Sequence, residues 1–254
     1  MDTDVIIRVA HMTAAYEDNV LLDNISFEVQ RGEIFVILGG SGCGKSTLLK
    51  HMIGLYQPAA GSVWIHGRDI TTAEGSERQK ILSGLGVMYQ SGALFGSFTL
   101  LENVRLPLEE FTELPLDALD GIAAMKLKLV GLGAALHQVP AEISGGMQKR
   151  AAIARAMALD PPVLFLDEPS AGLDPITSAE LDRLILRLAR YLGITFVIVS
   201  HELASIDAIA DRVIMLDQRT KGIVATGKPA ALRASSENPW VRQFFSRQPP
   251  PEVV

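Results

Sequence analysis

The sequence predicts an α/β fold: a parallel β-sheet covered on both faces, with a small N-terminal antiparallel flap and an inserted helical lobe. Three observations carry that prediction. Continuous apolar runs, "IFVIL" (34–38), "VLFLDE" (163–168), "ITFVIVS" (194–200) and "RVIML" (212–216), recur with helical patterns between them, as expected of strands buried on both faces. The first thirty residues and "GSVWIHGRDI" (61–70) alternate instead and contain turn residues, the pattern of a sheet with one face packed and one solvated. Between Ser91 and Ala158 no strand pattern stands out, and "DALDGIAAMKLKLVGLG" and "GGMQKRAAIARAMALD" read as helices. These elements predict one domain over 1–254, with a core at 1–90 and 159–235, a helical subdomain at 91–158 and a tail at 236–254.

Composition narrows the function classes. The 254 residues are 48% hydrophobic and 20% charged, a globular balance, and the formal net charge is −6. A chain this acidic lacks the basic footprint of a nucleic-acid binder, so no nucleic-acid partner is expected. Every apolar run is far shorter than the roughly 18–20 residues that cross a bilayer, and the acidic start "MDTDVIIRVAHM" does not read as a secretory signal. The chain is therefore expected to stay where it is made. A single cysteine, Cys43, cannot form an internal disulfide and fits a reducing compartment. No internal repeat is visible, and the end "QPPPEVV" reads as a loose tail.

The strongest local signal is "GGSGCGKST", Gly39 to Thr47. It satisfies G-x-x-x-x-G-K-[ST], and it lies between a buried strand and the helix-compatible "KSTLLKHMIGL". Glycine tolerates positive φ and carries no Cβ, so the amides of Gly39, Gly40, Ser41, Gly42, Cys43, Gly44, Lys45, Ser46 and Thr47 can wrap a phosphate chain. Lys45 brings a point charge to the β and γ phosphates, and Ser46 offers a hydroxyl to Mg²⁺. The Cys43 thiol either points away from the ligand or acts as a redox switch. The fold is thereby narrowed to a P-loop NTPase with a RecA-like core, and the expected ligands are ATP and Mg²⁺.

A second element fixes the reaction class. "VLFLDEP" places Asp167 and Glu168 at the end of an apolar strand, where two carboxylates are costly unless metal or phosphate chemistry uses them. Asp167 is expected to hold Mg²⁺, directly or through water. Glu168 is expected to act as general base on the attacking water.

Further along stand "YQSG" (89–92), "ISGGMQKR" (143–150), "SAGLD" (170–174) and "VSHE" (199–202). In this order and spacing they resemble the set that defines the nucleotide-binding subunit of ABC transporters, over nearly the whole chain. The resemblance implies a head-to-tail homodimer sandwiching two ATP molecules. In it Ser144, Gly145 and Gly146 open a helix and face the γ phosphate held by the other subunit. Gln90 resembles the glutamine that senses Mg²⁺ and the attacking water. His201 resembles the histidine that contacts the γ phosphate and orients Glu168, and Asp174 would link the two sites across the dimer. Tyr16 resembles the aromatic that stacks on adenine, and is equally read as a core aromatic of the flap. The chain departs from the common "LSGGQ" at Met147, which offers a thioether where the family has an amide.

The family's use of hydrolysis implies an integral-membrane permease, which this chain would serve from the cytoplasmic face of the bacterial inner membrane. Leu94, Phe95, Phe98 and Leu101 are read either as the groove that receives a permease helix or as lobe core. "ISGGMQKRAAIARAMALDP" with "DEPSAGLDPIT" most resembles the ATPases of Mla-type lipid-trafficking systems, which implies phospholipid as cargo, an MlaE-like permease and an MCE-domain lipid-binding protein. Importers of amino acids or other small solutes share most of these residues, and a soluble ABC ATPase acting as scaffold or assembly factor is the alternative of a different class. The segment "NPWVRQFFSRQ" is read either as a short amphipathic helix docking on the other subunit or as a frayed end.

Overall fold

The computed structural model describes residues 4–17 and 19–246, and the Tyr16 and Ser235 side chains are not among the described parts. The expected loose tail, "QPPPEVV", lies outside the described residues. The chain forms two compact units, residues 1–73 with 198–254 and residues 74–197.

In the first unit, β1 (Val5–Tyr16) pairs antiparallel with β2 (Asn19–Gln30) and β4 (Ala60–Ile65), and β5 (Arg68–Asp69) closes the order β2-β1-β4-β5. This is the expected flap. Ile7, Val9, Met12, Val63 and Ile65 are buried, which fixes the register through the side chains that must face inward. Strand β3 (Ile34–Gly39) is buried along its whole length and runs parallel to β9 (Arg212–Asp217), with Val36 opposite Val213 and Gly39 opposite Leu216. Arg212 fastens the start of β3: its Nε and Nη2 donate to the Glu33 carboxylate at 2.7 and 2.8 Å, and its guanidinium lies 5.0 Å from the Phe35 ring centre. Strand β10 (Gly222–Gly227) is antiparallel to β9. The sheet is thus mixed, where the sequence suggested a parallel one. The four residues between β9 and β10 allow only a hairpin, with Lys221 at φ 53, whereas a parallel return needs a crossover of a dozen residues. Helices α1 (Lys45–Met52), α7 (Leu203–Ile209), α8 (Pro229–Ser235) and α9 (Pro239–Ser246) complete this unit.

In the second unit, α2 (Gly75–Leu82) leads into β6 (Leu85–Met88), which runs parallel to β7 (Val163–Asp167) with Leu85 opposite Val163. A Cβ on Gly86 would fall 2.1 Å from the Ala156 carbonyl oxygen, so only glycine lets β6 pass. Strand β8 (Thr195–Val199) is divided between the units, residues 195–197 in the second and 198–199 in the first. Residues 91–158 hold α3 (Leu100–Phe111), α4 (Leu116–Leu129) and α5 (Gly145–Ala156), with no strand among the described residues, as the sequence predicts. Helix α3 starts on a capping box: Thr99 Oγ1 accepts the Glu102 amide at 3.2 Å, and the Glu102 carboxylate accepts the Thr99 amide at 2.7 Å. The long helix α6 (Pro175–Leu192) follows β7. No helix of the described residues is long and apolar enough to cross a membrane.

One buried polar side chain organises the loop before α3. Asn103 is fully buried; it accepts the Phe95 amide at 2.8 Å and donates to the carbonyls of Phe95, Phe98 and Thr99 at 3.0–3.1 Å. Replacing Asn103 by Leu strands these backbone groups, which costs about 3 kcal/mol. A melting scan should therefore register a drop of roughly 6–12 °C; an unchanged midpoint would mean the loop is held by something else.

Candidate active site

In the first unit, β3 feeds straight into the glycine loop and the loop into α1. Gly39 has φ 150, and a Cβ there would meet the Leu216 carbonyl oxygen at 2.5 Å and Cys43 Sγ at 2.6 Å. Gly44, the residue capping α1, has φ 97 and leaves the helix start without a side-chain cap, so the first-turn amides of α1 are left to another acceptor. Lys45 Nζ donates to the carbonyls of Gly39 and Gly40 at 3.0 and 2.9 Å, which holds its charge over the loop. Ser46 and Thr47 follow in the first turn of α1, half-buried. Ser41 and Gly42 are exposed at the crown of the loop.

Cys43 is buried, and that burial raises its thiol pKa; the Lys45 charge opposes the shift without reversing it. A thiol that is both enclosed and protonated is a poor redox switch, which favours the reading in which it packs. His201 stands just past β8, exposed, on a segment whose preceding amide, Ser200 N–H, donates to Ile37 O of β3 at 3.2 Å. The side chain of Tyr16 lies outside the described parts. Trp240 of α9 was not foreseen here: its ring faces Gly40, 3.5 Å from where a Cβ would stand, with the Arg219 guanidinium 5.3 Å from the ring centre.

In the second unit, β7 ends on Asp167, and the next residue, Glu168, takes φ 48; both carboxylates are buried. A left-handed glutamate is a strained conformer, held in place by its surroundings. Helix α5 fixes the segment that carries Gln90. Lys149 Nζ donates to the Gln90 carbonyl, while Arg155 Nη2 and Nη1 donate to the carbonyls of Gly92 and Ala93 at 2.9 and 2.7 Å. Burial lowers the Lys149 pKa, and the charges of Glu168 and Asp167 pull it back up. Gln90, the acidic pair and α5 are therefore one electrostatic cluster. Sequence reasoning missed Lys149 and Arg155; their only signal was that, with Arg150, they are cations on an alanine-rich helix.

Ser144 caps α5, its hydroxyl accepting the Met147 amide at 3.3 Å, and Ser144 and Gly145 are exposed. Gly146 is pressed against Thr177: a Cβ there would meet Thr177 Cγ2 at 2.4 Å. Asp174 caps α6, accepting from the amides of Ile176 and Thr177 at 3.0 and 3.1 Å and from the Thr177 hydroxyl at 2.5 Å. The Thr177 hydroxyl bond leads the interactions that hold the Asp174 pKa below the usual carboxylate value. The structure thus brings Ser144–Gly146 and Asp174 together through Thr177.

The first unit by itself fits a nucleotide and its magnesium: no room for a Cβ at Gly39, a lysine over the loop, an uncapped helix start and a hydroxyl on Ser46. Residues 22–171 match the model of the ABC transporter family. The chain belongs to that family. It is an ABC ATPase, the ATP-binding subunit type of such transporters. It is 43% identical over 225 residues to the "Intermembrane phospholipid transport system ATP-binding protein MlaF" of Escherichia coli K12, covering 89% of this chain and 82% of that protein. It is also 39% identical over 246 residues to the "Probable ribonucleotide transport ATP-binding protein mkl" of Mycobacterium leprae, covering 97% of this chain and 70% of that one. Among solved structures, the ATP-binding cassette MJ0796, a dimer bound to ADP and Pi, matches with a TM-score of 0.79 at 29% identity, over 88% of this chain and 98% of that one.

The contact of Gly146 with Thr177 gives a direct test of how this ABC ATPase seats α5. Gly146→Ala should destabilise the protein by about 2 kcal/mol through overpacking. Adding Thr177→Ser removes the methyl in the way and keeps the hydroxyl on Asp174, so the double variant should regain most of the lost melting temperature.

Proposed function

We propose that this ABC ATPase is the motor of a membrane transporter that moves phospholipid. It works as a head-to-tail homodimer in which each chain completes the other's ATP site. The observation that carries the reading is the exposed start of α5: Ser144 and Gly145 face solvent, while Gly146 is buried against Thr177, whose hydroxyl donates to the exposed Asp174. An anion-ready helix start turned outward is of use to another chain.

In this reading the amides of Gly39 to Thr47 bind the triphosphate, and Lys45 leaves the Gly39 and Gly40 carbonyls for the β and γ phosphates. Ser46, Asp167 and Gln90 would hold Mg²⁺, which would supply charge to screen the phosphates. Glu168 takes a proton from water as the water oxygen bonds to the γ phosphorus and the bond to the ADP oxygen breaks; His201 steadies the γ phosphate and Glu168. Tyr16 stacks on adenine, and Asp174 carries the state of one site to the other. Lys149 and Arg155 make Gln90 answer to α5.

Residues 91–158 act as the helical subdomain that meets the permease. Phe95, half exposed and 5.4 Å from Phe98 between ring centres, offers it an apolar contact, flanked by Leu94 and Leu101. Phospholipid is favoured as cargo by the similarity to the E. coli phospholipid transport protein, which implies an MlaE-like permease and an MCE-domain protein at the inner membrane, with this chain on its cytoplasmic face. The similarity to the mycobacterial protein named for ribonucleotide transport favours a second cargo.

Glu168→Gln should keep ATP affinity and lower turnover by about a hundredfold or more, because only the proton acceptor is lost. Near-normal hydrolysis would take Glu168 out of that role. Lys45→Ala should weaken ATP binding itself, measured by calorimetry. Recovery of the chain from detergent-solubilised membranes should bring an integral-membrane permease with it; recovery alone would favour the soluble scaffold, and a vesicle assay with labelled phospholipid against labelled ribonucleotide decides the cargo.

A further inference from the structure

The second unit has a cleft of about 500 Å³, lined by no residue of the nucleotide loop, whose walls carry four arginines: Arg150 of α5, and Arg183, Arg187 and Arg190 of α6. In a chain of net charge −6 this is a local inversion of sign. Arg187 stands four residues from Arg183 and three from Arg190, spacings that put like charges side by side on one helix face, where they repel. The helix dipole accounts for Arg190 alone, since only it lies in the last turn of α6. Glu180 is the one carboxylate of the lining, and no ion pair joins any of the four arginines to a carboxylate among the described residues. Elsewhere arginines are paired or bonded to the backbone, as Arg105 is paired with Glu109 and Asp120 at 2.6 and 2.8 Å and Arg155 is bonded to the Gly92 and Ala93 carbonyls; of the four here, Arg183 Nε donates to the Ala179 carbonyl at 3.3 Å.

The cleft is also shaped. Its floor is apolar, with Val130 and Leu184 buried, and Tyr191 stands exposed at its rim. Gly131 takes φ 79, and a Cβ there would stand 3.3 Å from Arg150 Nη1, so this glycine gives the guanidinium the room it occupies. Guanidinium groups converging on a pocket bind phosphate oxygens through paired N–H donors, a geometry that lysines do not reproduce.

We propose that this cleft is a second anion site, separate from the nucleotide loop, that takes a small phosphate-bearing ligand on Arg150, Arg183, Arg187 and Arg190. The test uses the full chain with its glycine loop saturated by a non-hydrolysable ATP analogue and Mg²⁺, so a failure here is distinct from a failure of the ATPase reading. Pyrophosphate is titrated by calorimetry and by melting temperature. Wild type should bind one equivalent and melt higher with it. Arg187→Gln with Arg190→Gln should bind at least about tenfold more weakly, since charged hydrogen bonds to phosphate are lost, while its ligand-free form melts within a degree or so of wild type, because the repulsion relieved on α6 offsets the lost charge in its last turn. Arg150→Gln should weaken binding without moving the ligand-free melting point by more than a degree or so.

Binding of phosphatidic acid in phosphatidylcholine vesicles but not of pyrophosphate would place the phosphate on a lipid headgroup and still support the site. Equal pyrophosphate affinity in wild type and both variants would overturn the proposal. So would binding of a poly-glutamate peptide in preference to either phosphate probe.

Discussion

There is no room for a side chain at residue 39. The Leu216 carbonyl on the neighbouring strand and the Cys43 sulfur across the loop both crowd the place where a Cβ would stand. That exclusion lets β3 end flush against β9 and turn at once into the loop, delivering Lys45 above Gly39 and Gly40 and opening α1 without a side-chain cap. The entropy that glycine surrenders here is exchanged for a backbone that can approach a phosphate chain closely. Burial of Cys43 belongs to the same arrangement: its sulfur crowds the inside of the turn, where enclosure raises its thiol pKa.

In the second unit, α5 plays the corresponding part. Its first turn presents Ser144 and Gly145 outward, its middle sends Lys149 to Gln90 and toward the acidic pair, and its last turn sends Arg155 to Gly92 and Ala93. A small rotation of this helix would be felt at all three places, since side-chain packing and charged hydrogen bonds on one rigid element move together. The polar anchors are buried or half-buried, where they are stronger than on an open surface and costlier to break.

Much of this was legible in the sequence, for physical reasons that can be named. Strands β3, β7, β8 and β9 announced themselves because burial on both faces makes a strand apolar without interruption. The glycine loop and the two carboxylates after β7 were readable because their chemistry demands particular residues at fixed spacing. Strand β6 was not readable: "LGVM" is four residues with a glycine that only the Ala156 carbonyl explains. Strand β10, "GIVATG", is half solvated and bounded by glycines, and so reads as a turn. The tasks of Lys149, Arg155 and Trp240 were hidden for another reason: each touches a residue about sixty or more positions away, and no local pattern encodes that.

The amide of Met147 binds the Ser144 hydroxyl, and this bears on why the family's glutamine could be exchanged there. What the turn requires of that position is a main-chain donor, which every residue but proline owns. Replacement of the side chain is therefore silent to the architecture of the turn, and the thioether is read only by whatever second molecule comes to rest against it.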